Sequence, residues 1–226
     1  MYSDLTKRIF TSIILLSVTF SFFIYSNLDF FLYFIIFIGI ICYGEWYVTN
    51  SLLLKNYKKN FFKSFSIYVF GFIYFLLIVP ISAFYLREEV GLNFFLLIVI
   101  ICIFSDVGGY VFGKTIGGKK LTKISPNKTI AGSIGSFIFS ILALIIIYLF
   151  NIETIFLKLN LVNIFFVLFV SLICQLGDLF FSYFKRLNNK KNTSNLLPGH
   201  GGLLDRIDGL VIVLPIVFLI KIMGIF

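Results

Sequence analysis

The chain has 226 residues, of which 60% are hydrophobic and only 13% are charged, a balance that excludes a soluble globular domain. We therefore predict a polytopic membrane protein. The formal net charge of +9 would suit a nucleic-acid ligand, but the lysines and arginines lie between long apolar runs, so no nucleic-acid partner is expected.

Seven apolar runs approach the length of about 20 residues that a helix needs to cross a bilayer. They lie at 9–25, 28–48, 64–86, 92–112, 134–150, 161–180 and 209–224. The first follows Lys7 and Arg8 but lacks the small-x-small cleavage site of a secretory signal, so we expect a retained helix. Because the apolar residues are continuous rather than alternating, the predicted fold is all-α, with about seven membrane helices and polar cytoplasmic loops.

The basic residues predict the orientation of these helices. With the N-terminus inside, sixteen of the 19 Lys and Arg residues fall on one side, and Arg87, Lys158 and Lys221 fall on the other. The positive-inside rule makes the basic side cytoplasmic.

Four aspartates stand at the predicted cytoplasmic ends of the fourth, sixth and seventh helices: Asp106, Asp178, Asp205 and Asp208. An ionisable side chain in or beside a membrane helix is a functional candidate, because burying an unpaired carboxylate is strongly unfavourable. At one depth these carboxylates would repel one another unless a cation neutralised them. The alternative is a set of structural ion pairs with Arg206 or Lys185.

The two longest cytoplasmic loops, 113–129 and 181–208, are rich in glycine, lysine and hydroxyl residues. Carboxylate oxygens suit Mg²⁺, which takes further oxygens from phosphates, and lysines and glycine-rich backbone suit the phosphates themselves. The loops therefore predict phosphoryl or nucleotidyl transfer at the membrane surface.

The stretch GGYVFGKT, residues 108–115, matches the spacing of a nucleotide-binding P-loop. A P-loop requires a strand before it and a helix after it, whereas this stretch follows the end of a predicted membrane helix. We therefore reject a P-loop and keep Lys114 as a candidate phosphate ligand.

Two other positions have less specific patterns. His200, the only histidine, lies in a Pro-Gly-His-Gly-Gly turn and is predicted either to donate a hydrogen bond to a phosphate or to order the loop. Glu45 and Trp46, near the cytoplasmic end of the second run, are typical of an interfacial anchor.

The run SYFKRLNNKKNTSNLLPGHGGLLDRID, residues 182–208, resembles the signature of the phosphatidate cytidylyltransferases, or CDP-diacylglycerol synthases. That signature is S-x-x-K-R, four residues, Lys-Asp, a short link and P-x-H-G-G-x-x-D-R-x-D. A second block, DVGGYVFGKTIGGKKLTKISPNKTIAG at 106–132, is similar to the family's D-x-x-A-Y-x-x-G-K followed by S-P-x-K-T-x-x-G, and Gly177-Asp178 also fits. The chain departs from the family at Gly109, Ser136 and Asn192, where Ala, Gly and Asp are usual.

The resemblance covers about 92–226 and implies a catalytic membrane region there, preceded by N-terminal membrane helices at 1–91. It implies transfer of a cytidylyl group from CTP to phosphatidate, Mg²⁺ as the cofactor with K⁺ as a second ion, a homodimer in the cytoplasmic membrane, and up to nine spans. By carry-over, Asp178 and Asp205 hold the metal. The other implied catalytic residues are Asp208, Lys185, Arg206 and Lys128, and the implied substrate-binding residues are Asp106, Lys114, Ser125, Thr129, His200, Gly201 and Gly202.

Two alternatives to this function remain. A related enzyme would act on another membrane lipid, since acyl-chain preference would be encoded in the apolar helices. A cation-coupled transporter is less favoured, because transporters place such sites nearer the bilayer midplane in repeated halves, and no internal repeat is evident here.

Overall fold

The computed structural model describes residues 17–56, 61–122, 124–150, 159–197 and 201–225. These ranges are mainly helical and contain two isolated β-bridges but no strand, which confirms the all-α prediction. The helices are α1 (17–25), α2 (Leu28–Asn56), α3 (Phe61–Ile73), α4 (Val79–Tyr85), α5 (Leu92–Thr115), α6 (Ile130–Leu149), α7 (Leu161–Leu187) and α8 (Leu204–Ile222).

Five helical segments within the described residues are long and apolar enough to cross a membrane. They are Leu28–Ser51, Phe65–Val90, Leu92–Thr115, Ile130–Leu149 and Leu161–Leu187. The predicted run at 9–25 lies partly outside the described residues. The helix predicted at 209–224 begins earlier, at Leu204, and so includes Asp205, Arg206 and Asp208 in its first turns. These helices identify a membrane protein. The count of seven spans stays a prediction.

The third predicted run is one helical segment with two wide turns. π-Helical turns at Tyr74–Ile78 and Leu86–Val90 join α3 to α4 and α4 to Gly91. Pro80 lies in the first turn of α4 and supplies no backbone N–H, so the regular hydrogen-bond ladder changes register beside it.

The fold divides into two compact units that are discontinuous in sequence. The first unit comprises Met1–Glu88 and Phe184–Ile207, and the second comprises Glu89–Tyr183 and Asp208–Phe226. The predicted boundary between an N-terminal helical region at 1–91 and a catalytic region at 92–226 stays a prediction.

The core of the first unit is built around Trp46, which is only 2% exposed. Its indole N–H donates to the carbonyl oxygen of Ile67 at 3.1 Å, and its ring packs on Phe75 and Phe184. The interfacial-anchor prediction is therefore wrong for Trp46, because the helices of this unit enclose the side chain.

In the second unit, α5 and α6 pack backbone to backbone through small residues. A Cβ added to Gly135 would meet Phe112 and the carbonyl oxygen of Gly108. Hydroxyl groups also join the helices, since Ser136 Oγ donates to the carbonyl of Ser105 at 2.7 Å and Ser105 Oγ bonds Ser171 Oγ at 2.9 Å. Small residues and interhelical hydrogen bonds are the usual means of helix association in membranes.

Gly135→Ala is expected to destabilise the protein by about 1–3 kcal/mol, since overpacking separates helices in close contact. The matched control is Gly44→Ala on α2, where an added Cβ would meet nothing within 4 Å. There the better helix propensity of alanine leaves stability unchanged or slightly higher. Thermal unfolding of the two detergent-purified variants measures both stability changes. Equal unfolding midpoints for Gly135→Ala and Gly44→Ala would contradict the close α5–α6 packing.

Candidate functional site

Backbone hydrogen bonds order the described residues of the loop that joins α5 to α6. The N–H of Lys128 donates to the carbonyl of Ser125 at 3.0 Å, which closes a β-turn with Pro126 at its second position, where proline is favoured. Leu121 N–H donates to Lys128 O at 2.8 Å, and Ile130 N–H donates to Lys119 O at 3.0 Å. The S-P-x-K pattern therefore encodes a turn that presents the side chain of Lys128.

Thr129 begins α6 by capping it. Its hydroxyl oxygen accepts from the N–H of Gly132 at 3.0 Å, as an N-cap threonine does. On the other side of the loop, residues 108–115 are helical throughout. A P-loop would need a loop in this described segment, so the rejection of a P-loop is confirmed.

The second unit contains the Asp178 cluster, which we define as Asp106, Lys128, Asp178, Ser182 and Asp208. Lys128 Nζ forms an ion pair with Asp178 Oδ2, and Ser182 Oγ donates to Asp178 Oδ1 at 3.3 Å. The Asp178 side chain is 31% exposed and that of Lys128 is 24% exposed. Both therefore remain accessible to a ligand.

Asp106 and Asp208 reach the same region of α7 from two other helices. The carboxylate of Asp106 lies 3.9 Å from the thiol of Cys174, one turn before Asp178. A Cβ on Gly177 would lie 3.1 Å from the backbone oxygen of Asp208, so the start of α8 packs against α7 at this glycine. Three of the four predicted carboxylates thus lie around two turns of α7. Asp208 is buried, whereas Asp106 is exposed.

Two other predicted residues of the second unit lie on or beside the same loop. Lys114 is exposed at the end of α5, with its Nζ 5.7 Å from the ring centroid of Tyr110. Ser125 is partly buried, and its backbone N–H donates to Thr122 Oγ1 at 3.2 Å.

The first unit contains the Asp205 cluster, which we define as Glu45, Lys185, Thr193, Gly202 and Asp205. Lys185 Nζ lies 2.8 Å from Asp205 Oδ1, and the two side chains are only 9% and 8% exposed. Asp205 Oδ2 accepts from the N–H groups of Thr193 and Gly202, each at 2.9 Å. It also lies 3.0 Å from Thr193 Oγ1, whose single hydrogen is shared between Asp205 and Glu45. Both carboxylate oxygens of Asp205 are therefore hydrogen-bonded. This is the structural ion pair with Lys185 that the sequence left open as an alternative to a cation site.

Burial alone would raise the pKa of Asp205. The hydrogen bond and positive charge of Lys185, together with the backbone N–H groups of Gly202 and Thr193, outweigh burial and hold the pKa of this carboxyl below its ordinary value. Asp205 is therefore ionised at neutral pH.

The end of the signature loop closes on itself. Leu197 and Gly201 exchange backbone hydrogen bonds of 2.8 and 3.2 Å, and Gly201 has a φ of +88°, a conformation that favours glycine. A Cβ on Gly201 would lie 3.1 Å from Cγ of Asn192, so Asn192, where the family usually has Asp, lies beside Gly201. His200 lies outside the described residues, and Arg206 is exposed in the first turn of α8.

The sequence reasoning missed the role of Glu45. Its side chain is 6% exposed, and its carboxylate accepts from two hydroxyls and two backbone N–H groups of the signature loop, at 2.7–2.9 Å. An acidic residue inside a predicted membrane helix was the available signal. The interfacial-anchor prediction is thus wrong for Glu45 as well, since its carboxylate faces protein donors.

Comparison with known proteins agrees with the two motif blocks. A sequence model of the cytidylyltransferase family matches residues 46–223. The chain is 41% identical over 138 residues to the phosphatidate cytidylyltransferase of Staphylococcus haemolyticus, covering 59% of this chain and 50% of the relative. It is 39% identical over 150 residues to that of Rickettsia bellii, covering 63% and 64%. It is 41% identical over 139 residues to that of Staphylococcus aureus, covering 59% and 50%.

The matched segment therefore spans about half the length of these staphylococcal relatives. The family match is longer, since it runs from residue 46 to residue 223 and includes both motif-bearing loops. The chain belongs to the cytidylyltransferase family.

Proposed function

We propose that the protein transfers a cytidylyl group from CTP to phosphatidate. A phosphate oxygen of phosphatidate forms a new bond to the α-phosphorus of CTP, and the bond from that phosphorus to the bridging oxygen of the β-phosphate breaks. The electron pair leaves with pyrophosphate, and the other product is CDP-diacylglycerol. No general base is needed, because the attacking phosphate oxygen is already ionised at neutral pH.

The observation that carries the proposal is that each motif-bearing loop is folded around a lysine–aspartate pair. Lys128 pairs with Asp178 and Lys185 pairs with Asp205. Nucleotidyl transfer depends mainly on positioning phosphates and neutralising their charge, and these side chains supply both. Family membership and the names of the relatives support cytidylyl transfer as the reaction class.

We propose Mg²⁺ as the cofactor, because carboxylate oxygens are the ligands it prefers. No three His, Cys, Asp or Glu side chains in the described ranges converge into a complete metal cage. Mg²⁺ is commonly held by one or two carboxylates plus water and substrate phosphates, so a complete cage is not required. Asp178, which is partly exposed, and Asp205 remain the candidate ligands, and K⁺ remains a candidate second ion. When bound, the metal would stabilise charge on the attacking and departing oxygens.

The remaining polar residues have proposed roles in substrate binding. Lys128, Lys185, Arg206 and Lys114 contact phosphates, and Asp106 and Asp208 contribute negative charge beside Asp178. Ser125, Thr129 and His200 donate hydrogen bonds, while the backbone at Gly201 and Gly202 approaches the nucleotide. The Thr129 hydroxyl accepts the capping bond from Gly132, so its own hydrogen stays available for a substrate oxygen.

The membrane setting follows from the substrates. Phosphatidate keeps its acyl chains in the bilayer while CTP arrives from the cytoplasm, so the active site faces the cytoplasm at the inner surface. We propose seven spans, or up to nine as in the wider family, and a homodimer. The excess of basic residues on the predicted cytoplasmic side supports this orientation.

The test is CTP-dependent formation of CDP-diacylglycerol by the purified full chain in phosphatidate-containing micelles. We expect product with Mg²⁺ and none after chelation, and pyrophosphate released in equal amount. Diacylglycerol, which lacks the attacking phosphate, is the matched acceptor control. A folded protein that converts another phosphorylated lipid but not phosphatidate would overturn the proposed acceptor, and one that converts neither would overturn the function.

A further inference from the structure

The last turns of α2 bind the signature loop along its length. Asn50 Oδ1 accepts from Asn188 Nδ2 at 3.3 Å, and the carbonyl of Val48 accepts from Lys190 Nζ at 2.7 Å. Thr49 Oγ1 donates to the carbonyl of Thr193 at 3.2 Å. The end of α2 is therefore a docking surface for the loop within the first unit.

Glu45 differs from these neighbours because it holds both ends of a loop segment. On one side its carboxylate accepts from Thr193 Oγ1 at 2.9 Å and Ser194 Oγ at 2.7 Å. On the other side it accepts from the N–H groups of Leu203 at 2.9 Å and Leu204 at 2.8 Å. These two N–H groups begin α8, where a helix has donors without partners of its own and favours a negative charge.

Gly202 provides the space for this arrangement. A Cβ at this position would meet Thr193 Oγ1 and lie 2.5 Å from Glu45 Oε2. The second glycine of the His-Gly-Gly motif thus allows the Glu45 carboxylate to reach the helix start.

Glu45 is linked to Asp205 through shared partners. Thr193 Oγ1 lies within hydrogen-bond distance of Glu45 Oε2 and Asp205 Oδ2, and Leu204 immediately precedes Asp205. We infer that Glu45 is a positioning residue for cytidylyl transfer, fixing the start of α8 so that Asp205 and Lys185 are held for the reaction. This inference rests on the proposed function.

Glu45→Gln tests the inference with little change in shape. Leu203 and Leu204 donate to different oxygens of Glu45, so one backbone N–H faces an amide NH₂ group whichever way the glutamine is turned. We expect kcat to fall about 10–100-fold, the usual cost of removing an outer-shell partner, with KM for CTP and phosphatidate within about twofold. Hydrogen exchange in the fragment 201–207 is expected to accelerate.

Trp46→Phe is the matched control. It removes a buried hydrogen bond from the adjacent residue of α2 without altering a contact to Leu203 or Leu204. We expect it to lower the unfolding temperature while kcat and exchange at 201–207 stay near wild type. The inference is overturned if Glu45→Gln leaves that exchange unchanged, or if both variants lose kcat equally at equal stability.

The exchange measurement separates this inference from the proposed function. A folded wild-type protein that makes no CDP-diacylglycerol removes the catalytic premise. Faster exchange in Glu45→Gln would then still establish that the carboxylate clamps the helix start, and unchanged exchange would reject the clamp as well.

Discussion

Asp205→Asn is expected to destabilise the protein by about 3–5 kcal/mol, the usual cost of breaking a buried ion pair, and to abolish CDP-diacylglycerol formation. The replacement leaves the ammonium of Lys185 buried without its counter-charge. It also turns an amide NH₂ toward either that ammonium or the donors of Thr193 and Gly202. Equilibrium unfolding in mild denaturant, followed beside the activity assay, measures both losses.

Two further variants separate charge from packing. Asp29→Asn removes the same charge from an exposed position in the first turn of α2, and its cost should stay below about 1 kcal/mol. Asp205→Leu combined with Lys185→Met should recover part of the stability but none of the activity, because the ion pair is replaced by apolar contact. Recovery stays partial because the Thr193 and Gly202 N–H groups lose their acceptor. A stable Asp205→Asn protein would show that the pair contributes little.

The lowered pKa of Asp205 gives this prediction a pH dependence. The folded carboxyl holds its proton less tightly than the unfolded one, so the ionised pair stabilises the protein at and above the ordinary pKa of aspartate. That stabilisation is lost as the pH falls from the ordinary value through the lower pKa of the folded state. In acid titrations of stability, wild type should therefore lose its advantage over Asp205→Asn in this range.

Asp178→Asn is expected to lower kcat/KM at least about 100-fold while changing stability by no more than about 1 kcal/mol. The side chains of Asp178 and Lys128 are partly exposed, so water screens their ion pair and little folding free energy depends on it. The activity loss reflects the proposed metal ligand, and the Mg²⁺ concentration needed for half-maximal rate should rise. Initial rates across a Mg²⁺ titration measure both quantities.

Lys128→Met is the companion variant, since it breaks the same ion pair but keeps the carboxylate. We expect it to raise KM for CTP with a smaller change in the Mg²⁺ requirement. If the two variants show the same Mg²⁺ dependence, Asp178 acts through its lysine rather than through a metal.

Features encoded by neighbouring residues were predictable from the sequence. Pro126 and Thr129 are local signals for a turn and a helix start, and the turn and the cap lie at those residues. Neither signal was used in the prediction, which gave Thr129 a substrate-binding role and began the helix at residue 134. The apolar runs likewise predicted helices, although α6 begins four residues early because Thr129 caps it.

Features that depend on distant contacts were not predictable. The partners of Glu45 lie 148 to 159 residues away, so neither the chemistry nor the spacing of Glu45 and Trp46 identifies them. Lys185 was a possible partner for the acids, but only the fold brings its ammonium to Asp205. The sequence also could not distinguish an exposed Asp106 from a buried Asp208, because both adjoin apolar runs.

The close contact of α5 and α6 has a consequence for the proposed binding of CTP. Both ends of the loop that presents Lys128 leave helices whose backbones touch at Gly108 and Gly135, and the loop is also tied by its β-turn and bridge. Part of the conformational entropy of the described loop residues is therefore already lost when the protein folds. Binding a triphosphate then requires less ordering of the backbone, so more of the phosphate attraction of Lys128 is retained as affinity.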